Sequence, residues 1–282
     1  MSTAPGTVAH APTGEGWRAA LELGFERRNG RSVLARRRRF GPLAVQRSFY
    51  PEGDLCHVYL LHPPGGVVGG DRLDVTVTVG RGAEALITTP GAAKYYRSAG
   101  PAAHLRQHVS VGGGASLEWL PHENILFSGT ELRAQTRIDL HPGARFFGWE
   151  LHCLGRPAGG RAFDEGSAGF RLELWRDGRP LLLEYLRLTA ARIGHPAQLR
   201  GHPVVATLLA TPADAALLAA LRERLGDDPA MACAATLLAD LLVVRVLGGS
   251  TERVRRLLGD AWSAVREAVI GRAPCPPRIW AT

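Results

Sequence analysis

Residues 62–98, HPPGGVVGGDRLDVTVTVGRGAEALITTPGAAKYYRS, decide the fold of this chain. Two segments dense in proline and glycine bracket a pair of alternating strands, and a lone acid, Asp71, precedes the first strand. Glycine permits a positive φ and close approach of the backbone, whereas proline fixes φ and ends strands. So much turn-forming sequence around so little strand predicts a constrained polar surface on a β structure.

The second half of this stretch is the first unit of an internal repeat. Its units are VTVGRGAEALITTP around Gly82, VSVGGGASLEWLP around Gly114, IDLHPGARFFGWE around Gly143 and a looser LELWRDGRPLLLE around Gly178. The glycines lie roughly 30 residues apart, a spacing typical of stacked repeat units. Alternation of period two indicates strands. The repeat predicts a mainly β fold: a wound, helical-type β-sheet body built of stacked hairpins. A plain antiparallel sandwich fits the pattern nearly as well.

The pattern changes after about residue 204, where helical signals appear. Thr211 followed by Pro212 predicts a helix start that continues to Gly226, and Ser250 predicts the cap of a second helix ending near Ile270. Two apolar strands lie between the helices. We therefore expect an α+β element (about 201–282) packed on the β body (about 16–200) within a single domain spanning 16–282, after a disordered tail at 1–15.

The positive charge of the chain does not decide which class of partner it binds. Its 282 residues carry a formal net charge of +8, and the basic residues include the run Arg36–Arg39. Such a stripe fits a nucleic-acid footprint, a surface for an acidic protein, or a solvated face. The chain has no uncharged apolar run of membrane-spanning length and no secretory leader pattern at its start. We expect a cytoplasmic protein that binds no membrane.

The repeat also aligns polar residues at the ends of its second strands. Seven residues past the turn glycines lie Thr89, Pro121 and Glu150, and Glu184 lies six past Gly178. If the units stack, one edge or interior seam gathers six polar side chains. They are Thr88, Thr89, His122, Glu123, Glu150 and Glu184. The alternatives are that these residues are ordinary solvated strand ends, or that Glu150 and Glu184 form ion pairs with arginine.

Several kinds of chemistry can be tested on these residues. Gly65 and Gly70 have phosphate-loop spacing, but Asp71 stands where such a loop needs lysine. His104 and His108 lie on an alternating segment, where four residues span about 13 Å, so they cannot share one ion. Weak binding by carboxylate and imidazole, with His122 and Glu123 as candidates, would suit nickel or zinc. A carboxylate-dependent hydrolase remains an alternative, as does a basic nucleic-acid-binding β protein.

Five motifs in order resemble one family over nearly the whole chain from about residue 16. They are HPPGGVVGGDRL (62–73), TTPGAAKYYRS (88–98), LEWLPHENILFSG (117–129), WELHCLGRP (149–157) and PPRIWAT (276–282). Together they resemble the UreD (UreH) family of urease accessory proteins. The chain departs from the family pattern at His122, where glutamine is common, and at Ala93, where serine or threonine is common.

The resemblance implies a scaffold without a reaction of its own. Such a protein would bind the urease apoprotein and the UreF-like and UreG-like accessory proteins, and no nucleic acid. It would hold no tight cofactor, only transient nickel on its way to the urease active site through an internal passage. The resemblance places Asp71, Glu150 and Glu184 in that passage, with Thr88 or Thr89 supplying a hydroxyl. A turn-capping role for Asp71 stays open beside this one.

Overall fold

The computed structural model describes residues 16–226 and 228–281, so the predicted tail at 1–15 lies outside the described residues. The earlier strands are β1 (Arg18–Arg28), β2 (Arg31–Phe40), β3 (Ala44–Val45), β4 (Cys56–Leu61), β5 (Arg72–Val79), β6 (Glu84–Thr88), β7 (Ala93–Tyr95), β8 (Ala103–Val111) and β9 (Ser116–Leu120). The later strands are β10 (Asn124–Leu126), β11 (Thr130–Leu140), β12 (Arg145–Leu154), β13 (Gly166–Arg176), β14 (Arg179–Thr189), β15 (Val204–Thr211), β16 (Met231–Leu238) and β17 (Leu241–Gly248). The helices are α1 (Ala215–Leu225) and α2 (Thr251–Ile270), and short 3₁₀ turns lie at Pro157–Gly159, Ala190–Arg192 and Arg278–Ala281.

The strands form two sheets. The seven-stranded sheet has the order β14-β13-β11-β8-β5-β1-β2. The ten-stranded sheet runs β16-β17-β15-β12-β9-β6-β4-β3, with β10 pairing β12 and β7. Apolar residues of alternate positions on both sheets form one continuous core between them. The fold is therefore mainly β, as the alternating sequence predicts.

The repeat units wind from one sheet to the other. Gly82, Gly114 and Gly143 have φ values of 64°, 64° and 71° and join β5 to β6, β8 to β9 and β11 to β12. The first strand of each unit pairs in parallel with the first strands of its neighbours, and the second strands do the same in the other sheet. Parallel neighbours connected in this way confirm the wound β body over the antiparallel sandwich.

One detail of the prediction, the stacked hairpins, is wrong for these three units. The two strands of each unit lie in different sheets and do not pair, so each unit is an arch. Only the looser unit around Gly178 forms a hairpin among the four, with β13 and β14 antiparallel. An arch and a hairpin share the pattern of strand, glycine turn and strand, so the pattern alone does not distinguish them.

The repeat alignment nevertheless predicts the register. Glu84, Ser116 and Arg145 each lie two residues past their turn glycine, and the structure pairs Glu84 with Ser116 and Ser116 with Arg145. Equal offsets from the glycines therefore become direct neighbours across the ten-stranded sheet.

The C-terminal element extends the ten-stranded sheet and covers its outer face. Strand β15 pairs antiparallel with β12, and β17 pairs with β15 and β16. The side chain of Ser250 caps α2 as predicted, but the cap of α1 is Asp214 and the predicted Thr211 ends β15. Within residues 16–226 and 228–281, neither helix is long and apolar enough to cross a membrane. The division into β body and α+β element of one domain stays a prediction.

A buried charge cluster fastens α2 to the sheet. Arg266 is fully buried and donates to both carboxylate oxygens of Glu118, from Nε at 2.9 Å and Nη2 at 2.8 Å. It also donates to Glu52 at 2.7 and 2.8 Å, and Glu52 contacts the ring of His57 at 2.9 Å. The indole of Trp262 donates to Glu118 at 2.7 Å. Burial alone would raise the pKa of Glu52, but the hydrogen bonds from His57 and Arg266 lower it to about 2.

Candidate functional site

Three polar residues form a row on the ten-stranded sheet. Glu150 of β12 lies directly opposite Thr207 of β15, which lies opposite Arg245 of β17. Leu209 and Val243 lie two positions along the same strands and belong to the core between the sheets. Because side chains two residues apart share a face, this row faces the seven-stranded sheet.

A second polar row lies on the facing sheet. Gln107 of β8 is opposite Thr136 of β11, and Thr136 is opposite Leu172 of β13, whose other neighbour is Glu184 of β14. The rows touch at two points: the hydroxyl of Thr136 donates to the carboxylate of Glu150, and Arg245 donates to Glu184. We call the polar residues of both rows the polar seam. Its members are Gln107, Thr136, Glu150, Glu184, Thr207 and Arg245.

The inner end of the polar seam is formed by the half-buried Glu150, which contacts the buried Thr136. The ring of His152 stacks on Phe170 with centroids 3.7 Å apart, and its Nε2 lies 3.5 Å from Glu150. Its Nδ1 lies 3.2 Å from the side-chain amide of Asn124. Burial first, and the charge of Glu150 second, raise the pKa of the buried Tyr95 hydroxyl. Glu150 therefore lies among oxygen and nitrogen atoms inside an otherwise apolar core.

The other end of the polar seam opens to a groove of about 1050 Å³ beside β14 and β15–β17. Glu184, Thr207 and Arg245 line this groove. Thr207 also lines a small interior space with Thr136 and Glu150. The polar seam thus runs from an exposed groove into the space between the sheets.

The predicted gathering of six side chains divides into two groups. Glu150 and Glu184 belong to the polar seam, whereas the other four form what we call the outer cluster. Its members are Thr88, Thr89, His122 and Glu123. Strands β6 and β9 end at Thr88 and Leu120, so the residues that follow leave the sheet instead of continuing the row to Glu150. The expectation of one common seam is wrong for this reason.

The outer cluster is held by short internal contacts. Thr89 accepts from the backbone N–H of His122 at 2.8 Å, and Thr88 donates to the carbonyl of Leu120 at 2.6 Å. His122 Nδ1 lies 3.1 Å from Arg255 of α2 and 3.9 Å from Glu123. Burial and, second, Arg255 lower the pKa of His122, and Glu123 opposes them. In the part of the chain that the structure describes, His122 Nε2 and Glu123 Oε2 have no hydrogen-bond partner.

Asp71 lies apart from both groups. Its two carboxylate oxygens accept from the backbone N–H groups of Trp17 at 2.8 Å and Val68 at 2.9 Å. These contacts match the turn-capping alternative. In β5, Val75 pairs with Gln107 of the polar seam. Asp71 precedes Val75 by four residues, so it lies about 13 Å from the polar seam along the strand direction.

Three further outcomes concern the basic run, the arginine ion pair and metal binding. Arg36–Arg39 are exposed on β2, the terminal strand of the seven-stranded sheet. Glu184 forms the arginine ion pair that the sequence left open, with Arg245. Across residues 16–226 and 228–281, no three His, Cys, Asp or Glu side chains are grouped so that they could hold a metal ion.

Comparison with known proteins decides the family. The family model described as UreD urease accessory protein matches residues 18–281. The chain belongs to the UreD family. It is 49% identical over 269 residues to the urease accessory protein UreD of Pseudomonas entomophila, covering 95% of each chain. It is 51% identical to that of Alkalilimnicola ehrlichii, over 96% of this chain and 94% of the relative. The resemblance in five motifs is confirmed.

Sequence reasoning found Glu150 and Glu184 in this UreD family member but missed their neighbours. Gln107, Thr136, Thr207 and Arg245 went unremarked. Each lies in the phase of its strand that is otherwise apolar, as Thr136 does in LRAQTRIDL. A polar residue in the buried phase of an alternating strand is the signal that would have found them.

Proposed function

We propose that this chain acts in urease maturation as a scaffold for the insertion of nickel. Membership of the UreD family supports the role, because its relatives are named urease accessory proteins. As such a chaperone it would bind the urease apoprotein together with UreF-like and UreG-like accessory proteins in the cytoplasm. Nickel would be transient cargo and the chain would carry out no reaction of its own.

The polar seam is the observation that carries the nickel part of the proposal. Two carboxylates and two hydroxyls of the polar seam line up from the groove to the interior at Glu184, Thr207, Thr136 and Glu150, and the imidazole of His152 adjoins Glu150. Carboxylate and imidazole suit a borderline divalent cation such as nickel. Because these groups are spread along a line, each would hold a cation weakly enough to release it to the next, as conduction requires.

The other predicted residues lie outside the polar seam. Thr88 and Thr89 use their hydroxyls in hydrogen bonds of the outer cluster, and Asp71 caps a turn. Their place in a nickel passage, and weak metal binding by His122 and Glu123, stay predictions. No specific contact favours hydrolysis by Glu150 and Glu184, or nucleic-acid binding by Arg36–Arg39, over the scaffold role.

The test is Glu150→Gln, which keeps the shape of the side chain and removes its charge. The variant is co-expressed with urease and its accessory proteins, and the purified urease is assayed for nickel by atomic absorption. We expect intact complexes but urease with less than half the normal nickel. Glu26→Gln is the matched control, since Glu26 is an exposed glutamate paired with Arg28 on the seven-stranded sheet. Normal nickel content with Glu150→Gln would contradict the proposed passage.

A further inference from the structure

Arg245 occupies the point where the polar seam meets the groove. Its Nε donates to Glu184 Oε1 at 3.1 Å, and its Nη2 donates to the same oxygen. The Arg245 side chain is 46% exposed and that of Glu184 29%, whereas Glu150 is 16% exposed. Thr207 separates Arg245 from Glu150 along the sheet. A cation entering from the groove therefore meets a guanidinium before it reaches the interior carboxylate.

The charges at this point oppose a cation. Arg245 neutralises Glu184, the outermost carboxylate of the polar seam, so a divalent ion that arrives from the groove finds no free negative charge there. Arginine keeps its positive charge at every physiological pH. An ion pair that is this exposed contributes little to stability, so its two partners separate readily. The closed pair thus withholds the outer carboxylate from a cation, and separating the pair costs little free energy.

We infer that Arg245 is a gate: paired with Glu184 it closes the polar seam to divalent cations, and the seam opens when the pair separates. This inference rests on the proposed function, because it assumes that cations travel along the seam. It assigns a regulatory role to a residue that forms no part of the motifs resembling the family. It also explains why an acid at the mouth of the seam carries an arginine partner there.

The same groove supplies a matched control. Arg253 pairs with Asp228 at 2.7 Å, with side chains 50% and 29% exposed, nearly the values of the Arg245–Glu184 pair. Asp228 lines the groove as well, but Arg253 lies on α2, away from both rows of the seam. Replacing Arg253 therefore removes an equivalent ion pair and charge without touching the proposed gate.

The experiment measures Ni²⁺ binding to the purified full chain by equilibrium dialysis. The variants are Arg245→Met, Arg245→Lys and the control Arg253→Met, each first checked for folding by circular dichroism and thermal melting. We expect Arg245→Met to bind Ni²⁺ at least several-fold more tightly than wild type, and Arg253→Met and Arg245→Lys to resemble wild type. The gain should disappear in the double variant Arg245→Met/Glu150→Gln. Equal binding by the two methionine variants would overturn the gate.

The failures of the two proposals are distinguishable. If Glu150→Gln leaves the nickel content of urease normal, the passage itself is refuted and the gate with it. If Glu150→Gln lowers that content while Arg245→Met matches Arg253→Met in Ni²⁺ binding, the passage stands and only the gate is refuted.

Discussion

Removing Glu118 should destabilise the protein far more than removing an exposed charge of α2. Glu118 is 1% exposed and accepts three hydrogen bonds, two from Arg266 and one from Trp262. Glu118→Ala leaves the fully buried Arg266 with Glu52 as its remaining carboxylate and leaves the Trp262 indole N–H without this acceptor. Both changes remove hydrogen bonds from the core between α2 and the ten-stranded sheet.

The magnitude follows from the contacts. Hydrogen bonds to charged groups contribute about 1.5–3 kcal/mol each, but three bonds within one network do not add. Breaking a buried ion pair costs about 3–5 kcal/mol, and the surviving contact with Glu52 keeps the loss within that range. For a chain of this size about 2 °C of melting temperature corresponds to each kcal/mol, so Tm should fall by about 6–10 °C.

Urea unfolding followed by tryptophan fluorescence measures this loss, with differential scanning calorimetry as the second probe. Glu252→Ala is the control, because it breaks the exposed pair with Arg256 on the same helix. That change should cost less than about 1 kcal/mol. The triple variant Glu52→Gln/Glu118→Leu/Arg266→Met should recover part of the loss, since it replaces every charged partner of the cluster and leaves no carboxylate there without its guanidinium. A cost for Glu118→Ala equal to that of Glu252→Ala would refute this account.

Two further predictions concern Glu52 and a crowded glycine. Glu52 has its pKa lowered from 4.5 to about 2, so its stabilisation is present above about pH 4.5 and lost as the pH falls toward 2. Its stabilisation of about 3 kcal/mol at pH 6 should fall by about 2 kcal/mol at pH 3. Urea titrations at these two pH values should therefore differ by that much more in wild type than in Glu52→Gln. Gly166→Ala should cost about 3 kcal/mol or more, because its Cβ would lie 2.3 Å from the Thr130 carbonyl oxygen. Gly178→Ala, equally left-handed but in open space, should cost about 1–2 kcal/mol by thermal melting; equal costs would contradict the steric argument.

The wound β body could be predicted because its turns are specified by local sequence. Gly82, Gly114 and Gly143 mark turns that need a positive φ, and their equal spacing encodes the register of the ten-stranded sheet. The two strands that flank each glycine pair with strands from other units and not with each other. The local sequence does not show this, so hairpins were predicted where the structure has arches. The start of α1 was misplaced because Thr211 and Asp214 are both good caps, and pairing of Thr211 with Phe146 keeps it in β15.

The candidate site was harder to predict than the fold. Glu150 and Glu184 could be found from the repeat offset, but both lie within their strands, β12 and β14, and not at strand ends as predicted. Arg245 lies 61 residues from Glu184 and on the other sheet, and their contact depends on how the sheets face each other. An offset within one repeat carries no information about that pairing. The outer cluster separated from Glu150 because β6 ends at Thr88, a boundary that the alternating pattern does not mark.

The attachment of α2 has a consequence for biosynthesis. Arg266 reaches Glu118 across 148 residues of sequence and Glu52 across 214. A ribosome releases the arches in turn, and each can dock on the one before it while the chain is still growing. Glu52 and Glu118 lack their shared partner Arg266 until α2 has been translated. Ribosome stalling or truncation before residue 266 would therefore release a nearly complete sheet with its outer apolar face uncovered, the kind of intermediate that aggregates.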